Sequence, residues 1–434
     1  MTTVPVDPRA TMWSRIASGR PRGRSTVRGV GTSAIGCLCF CAMVCSALCW
    51  AAHAGAGFGL ADGVPSPAAP ARHATTVLGA VTCIDEHRCV AVGGRKGRGT
   101  LVELWNGRSW RAVPSPNPRR ARSAGLSGVS CPSRRFCVAV GSYTPRGQSN
   151  HHPLIERWDG RRWRPAAFPP KGIGAMGSIL LGVSCTTSRF CLAVGEKTTS
   201  GDTDEPLAVA WHGRSWSISR AFSAATARTQ GDLHAVSCAG PRRCMAVGSV
   251  VETRSQRVIA AVGMGAHWRV STPPAPKPMF EWALTGLSCP SPRLCWTVGS
   301  PAVGRGLDVV LDRYRDRRWW RAPAPISPRL QATMEGLACG TRASCMAVGF
   351  MNPEVRPPSR AREYNVALRW GGSRWVRTSP WNPRRGSPAL YAVACTRLSR
   401  CLAVGTNTPE NGGGQLPIAE WWNGSRWLPA NRGL

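Results

Sequence analysis

The chain has 434 residues, 43% of them hydrophobic, and a formal net charge of +34. That apolar content supplies a large core and excludes an intrinsically disordered chain. The charge raises nucleic acid as a partner, but the only lysines are Lys96, Lys171, Lys197 and Lys277, and the arginines are scattered along the whole length. Diffuse attraction to an anionic cell-wall polymer or to lipid headgroups is therefore favoured over nucleic-acid binding.

Residues 1–33 are polar and basic, carrying Arg9, Arg15, Arg20, Arg22, Arg24 and Arg28 against one acid, Asp7. The uncharged run "AIGCLCFCAMVCSALCWAA" follows, and "AHA" closes the segment 34–54 with a small-x-small pattern. A charged stretch followed by an apolar one is the order of an export signal. The run also approaches the length of a membrane span, and its basic flank would hold the N-terminus in the cytoplasm. Two readings stand, a cleaved signal peptide or a transmembrane anchor. Either places the rest of the chain outside the cytoplasm, secreted or membrane-anchored. Cys37, Cys39, Cys41, Cys45 and Cys49 read as small apolar filler within this run. Residues 55–74 are rich in Gly, Ala and Pro and read as a flexible linker.

Beyond it, residues 75–434 repeat. "VSCPSRRFCVAVGS" from Val129 returns as "VSCTTSRFCLAVGE" from Val183 and "VACTRLSRCLAVGT" from Val393. The remaining cysteines form the pairs Cys83/Cys89, Cys131/Cys137, Cys185/Cys191, Cys238/Cys244, Cys289/Cys295, Cys339/Cys345 and Cys395/Cys401, each with five residues between its members. An even, regularly spaced set in an exported chain predicts seven disulfides. Zinc is disfavoured, because structural sites use tighter spacings.

Each repeat of about 50 residues predicts four strands: a short small-residue strand, an apolar strand such as "CVAVGS", a third such as "PLIERW", and a fourth after a turn. Asn106-Gly107, Asp159-Gly160 and Asn423-Gly424 mark tight hairpins. Aromatic residues flank that turn five positions apart: Trp105/Trp110, Trp158/Trp163, Trp211/Trp216, Tyr314/Trp319, Trp370/Trp375 and Trp422/Trp427. The fourth repeat has Gly263 and Trp268 there instead. Packing between neighbouring sheets is favoured over sugar stacking for these rings. Seven such repeats predict an all-β, seven-bladed propeller of four-stranded antiparallel blades, monomeric as a ring.

An apolar strand ending in glycine, a variable loop, an aromatic before a turn and Trp after it resembles the kelch repeat. The "WNGRSW" turn is similar to a degenerate Asp-box of sialidase-type propellers, without its serine and aspartate. The resemblance spans roughly residues 75–430 and implies the architecture; it carries no activity.

Antiparallel order places the cysteine turns and the Asn-Gly turns on one face. The varied loops, such as "GEKTTSGDTDEP" and "GFMNPEVRPPSRAREYN", lie on the other, where binding usually resides. The first strand of each repeat reads Leu-x-(Gly/Ala)-(Val/Leu)-x-Cys, with Met334 replacing Leu once. Its variable position holds Gly79, Ser127, Leu181, His234, Thr285, Glu335 and Tyr391. Alternation puts these opposite their small neighbours, by the mouth of the central channel. His234, Glu335 and Tyr391, with the blade-crossing Arg119, Arg120, Arg384 and Arg385, are the candidate binding residues. No cofactor or metal is expected; His151-His152 is a pair with no third ligand, and Asp202, Asp204 and Glu205 read as solvated loop charge. The function expected is a non-enzymatic propeller binding a protein or cell-surface polysaccharide. A glycan-active enzyme, hydrolase or lyase, is the alternative, and it would need facing carboxylates, of which Glu335 is the one candidate at the mouth.

Overall fold

A computed structural model describes residues 75–434, apart from 169–176, 202, 220–221, 223–229, 253–254, 265–266, 275–281, 302–308, 328–329, 353–361, 398–399 and 412. The signal or anchor reading of 34–54, its cysteines and the linker 55–74 lie outside the described residues, as does Asp202.

Seven four-stranded sheets form, each built from consecutive antiparallel strands. They span residues 76–113, 121–165, 177–218, 230–271, 282–321, 331–378 and 387–429, here blades one to seven. The second strand of each blade is sandwiched between neighbouring sheets. It is buried on both faces, as Val90, Ala91 and Val92 are, and so reads as a continuous apolar run instead of an alternating one. The core is therefore divided among the blade interfaces. One cluster joins Val138 and Ile155 of blade two to Leu180, Val209 and Trp216 of blade three. Another joins Leu402 and Ala419 of blade seven to Leu78 and Leu101 of blade one, closing the ring.

All seven expected disulfides are present: Cys83–Cys89, Cys131–Cys137, Cys185–Cys191, Cys238–Cys244, Cys289–Cys295, Cys339–Cys345 and Cys395–Cys401. Cys83 lies directly opposite Cys89 in the register of the first two strands, and Cys238 opposite Cys244. The two ends of each bridge differ in setting. The first cysteine, on the inner strand, is half-buried. The second opens the apolar strand and is core: Cys89, Cys137, Cys191, Cys244, Cys295, Cys345 and Cys401 are each no more than 6% exposed. Cys191 packs in the cluster between blades two and three, Cys345 in that between five and six, and Cys401 in that between six and seven. Cys137 and Cys295 likewise face blades one and four. The cysteines are staples as expected: all fourteen are paired, and the second of each pair is part of the core. In the chain-entropy picture, closing so short a loop contributes roughly 2 kcal/mol per bridge. Seven bridges of this kind indicate an oxidising, extracytoplasmic environment. Beside them, a hydrogen bond links neighbouring blades: the backbone N–H of Cys185, Cys238, Cys289 and Cys339 donates to Oγ of Ser130, Ser184, Ser237 and Ser288 in the preceding blade, at 2.9–3.0 Å.

The flanking aromatics face each other across the outer hairpin, with ring centroids 5.3 Å apart for Trp105/Trp110 and 4.9 Å for Tyr314/Trp319. Trp110, Trp163, Trp216, Trp375 and Trp427 are each no more than 6% exposed, which leaves little ring face for a sugar. In blade four the Trp268 ring lies over Gly263, and buried Phe222 meets it edge-on at 5.1 Å, replacing the missing partner. The turns are looser than two-residue hairpins. Trp105 pairs with Trp110, leaving four residues between them, and Asn106 Oδ1 accepts from the N–H of Arg108 and Ser109 at 2.9 Å.

The third strands bury carboxyls at one repeated position: Glu103, Glu156, Asp312 and Glu420. Glu156 Oε2 accepts from Ser115 Oγ at 2.7 Å, and Ser115 lies on the crossing from blade one. Glu420 accepts from Trp381 N–H at 2.7 Å and Asn365 Nδ2 at 2.6 Å, both contributed by blade six and its exit crossing. Glu156 and Glu420 are latches between blades, while Glu103 and Asp312 pair within their own blades, with Arg95 and Arg321. Burial pushes Glu103 and Glu156 up to about 7 and Glu420 up to about 8, against smaller opposing effects of Arg95 on Glu103 and of hydrogen bonds on the other two.

Candidate functional site

The variable residue of each innermost strand has a structural cause for its freedom. In all seven blades a β-bulge interrupts the pairing at that residue: Leu78 pairs with Gly93 and Ala80 with Val92, leaving Gly79 over. The same break leaves Ser127, Leu181, His234, Thr285, Glu335 and Tyr391 unpaired. Simple alternation is thus corrected. A bulged residue is extra to the ladder and is aimed by the bulge, the common use of this device beside binding sites. All seven are half-buried, unlike the fully buried leucine or Met334 that precedes each.

The bulge explains the glycine within each second strand, which continues for two to four residues beyond it where the sequence suggested an end. A Cβ on Gly141 would lie 2.0 Å from the Gly125 carbonyl oxygen, and one on Gly248 would lie 2.1 Å from that of Asp232. The buckled inner strand crosses so close that only hydrogen fits.

The bulges and the residues beside them gather one polar constellation. His234 Nε2 is 3.3 Å from Asp232 Oδ1, and the His234 side chain keeps 25% exposure. Asp232 Oδ1 also accepts from Ser249 N–H at 3.1 Å and Ser249 Oγ at 2.7 Å. Burial alone would lower the His234 pKa. The Asp232 carboxylate, helped by Glu196 of blade three and Glu335 of blade six, outweighs it and raises His234 to about 9. Burial pushes Glu335 up to about 7, with the charge of His234 opposing from two blades away. At neutral pH this constellation therefore holds His234 as an imidazolium, with the Glu335 carboxyl held above the usual carboxylate range by its burial. Tyr391 receives a hydrogen bond from Thr406 Oγ1 at 3.2 Å, and Thr285 Oγ1 donates to the Met334 carbonyl at 2.6 Å. Asp232, Glu196, Ser249 and Thr406 escaped the sequence reading. Glu196, Ser249 and Thr406 carried one signal, the position directly after the second-strand glycine, which is polar in five blades (Ser142, Glu196, Ser249, Ser300 and Thr406); Asp232 carried none, because the position two before the bulge is apolar or glycine in five blades.

Arg119, Arg120, Arg384 and Arg385 are exposed on the blade crossings. Among the described residues no hydrogen bond or ion pair joins them to His234, Glu335 or Tyr391. Arg120 lines a separate cleft of about 400 Å³ with Arg98, Arg122 and Arg146. The loop histidines are bonded locally, His151 Nδ1 to Thr144 Oγ1 at 3.1 Å and His152 Nε2 to Gln148 Oε1 at 3.0 Å. Among the described residues no group of three or more metal-ligating side chains occurs. Of the loop acids, Asp204 accepts from Thr198 Oγ1 at 2.9 Å and Glu205 pairs with Lys197 at 2.7 Å.

No protein-family model matches the chain, and no curated protein sequence does. Its fold is similar to solved propellers. The GH74 xyloglucanase from Xanthomonas campestris has a TM-score of 0.52 at 13% identity, over 82% of this chain and 55% of that one. A PL25 ulvan lyase has a TM-score of 0.50 at 7% identity, over 82% of this chain and 96% of that one. YCF48 bound to D1 peptide has a TM-score of 0.45 at 13% identity, over 77% and 90%. At such identities the likeness is one of fold alone, and fold does not fix function.

Proposed function

We propose that the chain is a non-enzymatic binding propeller acting outside the cytoplasm, secreted or held at the membrane by residues 34–54. It recognises a protein or cell-surface polysaccharide over the variable-loop mouth. The observation that carries this reading is the ring of seven bulges. One device, repeated in every blade, offers six unlike side chains and one glycine, as recognition of an asymmetric ligand requires. His234 supplies a cation, Glu335 a titrating carboxyl and Tyr391 an aromatic hydroxyl, with Arg119, Arg120, Arg384 and Arg385 offering positive charge on the crossings. Screening against a glycan array and an exported-protein panel identifies the ligand. The triple variant H234A/E335A/Y391A then loses affinity about tenfold or more with unchanged circular dichroism. Unchanged affinity removes the mouth as the site.

A second reading is a glycan-active enzyme, hydrolase or lyase. It is favoured by one observation: Glu335 holds its proton to about 7 within reach of the His234 charge, the poise of an acid–base group. Reducing-end or unsaturated-end release from array-positive glycans, abolished by E335Q, would establish that reading; binding with no product supports the first.

A further inference from the structure

The turn face, opposite the mouth, carries a cleft of about 680 Å³ around blade five. Five arginines line it, Arg243, Arg293, Arg313, Arg315 and Arg342, against one acid, Asp316. Asp316 meets Arg315 at 3.4 Å, so Arg243, Arg293 and Arg342 have no ion pair among the described residues. Blade five departs from its siblings at the base of this cleft. Where the other second strands have Val90, Val138, Leu192, Met245, Met346 or Leu402, it has Trp296. The Trp296 ring is wedged against Trp370 at 4.7 Å and Trp375 at 5.3 Å, 2% exposed. It forms one wall for the Arg313 guanidinium, 5.7 Å from its centroid, and Trp320 forms the other at 5.5 Å. Arg313 is thus held between two indoles before any ligand arrives, which lowers the ordering cost of binding. Trp320 is also 40% exposed, one of few large apolar side chains on the described surface.

We infer that this cleft is a second binding site, distinct from the mouth, for an acidic oligosaccharide segment bearing carboxylate groups. Guanidinium forks match carboxylates two bonds at a time. Trp320 lies beside the lining residues, joined to them through Arg313, and its exposed face suits the apolar face of a pyranose ring. At about 680 Å³ the cleft has room for a short oligosaccharide segment. The repeat logic adds weight: a position filled by smaller aliphatics in six blades is enlarged to tryptophan where the arginines converge.

The test must separate this cleft from the diffuse charge of the whole molecule. Calorimetric titration of the oxidised protein with oligogalacturonate, at physiological salt, is compared with a neutral maltooligosaccharide of equal length, polyglutamate and inorganic polyphosphate. Oligogalacturonate binds and the neutral glycan does not. The variant R293E/R342E loses affinity about tenfold or more. W320A loses about threefold. R161E/R162E, an equal charge change at the exposed turn of blade two, stays within about twofold of the parent because screening confines charge effects to their neighbourhood. The mouth variant H234A/E335A/Y391A leaves this binding unchanged, so failure here and failure of the mouth reading are separate results. Four outcomes would overturn the inference: no binding of oligogalacturonate, equal loss in both arginine variants, no loss in R293E/R342E, or tighter binding of polyglutamate or polyphosphate.

Discussion

His234 Nε2 stands 3.3 Å from Asp232 Oδ1 on the same inner strand of blade four. Only one of two opposed forces on this imidazole can win. Burial disfavours the imidazolium, and the carboxylate favours it; the carboxylate wins, raising His234 to about 9. The variant D232N keeps an oxygen to accept from Ser249 but removes the charge. The His234 pKa is then expected to fall to 6.5 or below, because burial now dominates over the weaker pull of Glu196 and Glu335. An NMR titration of the His234 ring measures it, and a value still near 9 in D232N shows that the pair is not the cause.

Stability should fall as pH rises from mildly acid to alkaline. Glu103, Glu156 and Glu420 have folded values near 7, 7 and 8 against an ordinary 4.5. Between those values the folded chain holds protons that the unfolded chain has lost, so raising the pH favours unfolding. His234 adds the same sign between 6.5 and about 9. Asp232 is held below its ordinary value, so its contribution is lost only under more acidic conditions. The melting temperature is expected to be highest near pH 5 and lower by on the order of 5 °C at pH 9. The variant E156Q/E420Q flattens the profile between pH 5 and 8; an unflattened profile would mean that the latches between blades do not carry it.

The cysteine spacing, the small-residue strands and the Trp pairs made the seven blades legible, because each is a local pattern repeated in register. The burial of Cys137, Cys191, Cys295, Cys345 and Cys401 was less so, since spacing fixes a pairing but not which end of the bridge faces the next blade. The bulges were not legible. Nothing in "LHAVSC" distinguishes an extra residue from an alternating one. Their mark lay in the partner strand, where an unvarying glycine records a backbone approach that sequence alone assigns to a turn. His234, Glu335 and Tyr391 could be singled out because they vary; Asp232 could not, since the bulge beside it left no mark on its own strand, and Glu196 could not, since its pull on His234 depends on how blades three and four pack. The arginine cleft was hidden because Arg243, Arg293 and Arg342 come from turns or strand ends of three blades and Arg313 from inside a third strand, all lost among scattered arginines.

Gly141 and Gly125 lie on paired strands of blade two with opposite tolerance for a side chain. A Cβ on Gly141 would stand 2.0 Å from the Gly125 carbonyl oxygen, while one on Gly125 would meet nothing within 4 Å. G141A must push two hydrogen-bonded strands apart, at an expected cost of about 3 kcal/mol or more. G125A should stay within about 0.5 kcal/mol of the parent. Denaturant unfolding of the two variants decides it; equal costs would show that the bulge is free to relax and that Gly141 is not held by that carbonyl.

The final prediction concerns how the ring is held shut. Many propellers could close by mixing strands from both termini in one blade, but here every blade is built from consecutive strands. Blade seven instead meets blade one through the apolar cluster of Leu402, Val404, Leu78 and Leu101, and through the chain end. Trp110 Nε1 donates to the Ala430 carbonyl at 2.8 Å, and Trp110 N–H donates to the Arg432 carbonyl at 2.8 Å. Leu434 packs against the same cluster. Deleting residues 430–434 strands two donors on Trp110, a side chain 3% exposed, at about 1–3 kcal/mol for each donor left without a partner. The expected result is a lower melting temperature with all seven disulfides intact, and faster amide exchange confined to the outer strand of blade one and to blade seven. W110F separates the two contributions, because it removes the indole donor and keeps a ring in the cluster; its loss should be smaller, about 1 kcal/mol. If the deletion leaves both melting temperature and exchange unchanged, the tail is not the clasp, and the apolar cluster alone holds the ring.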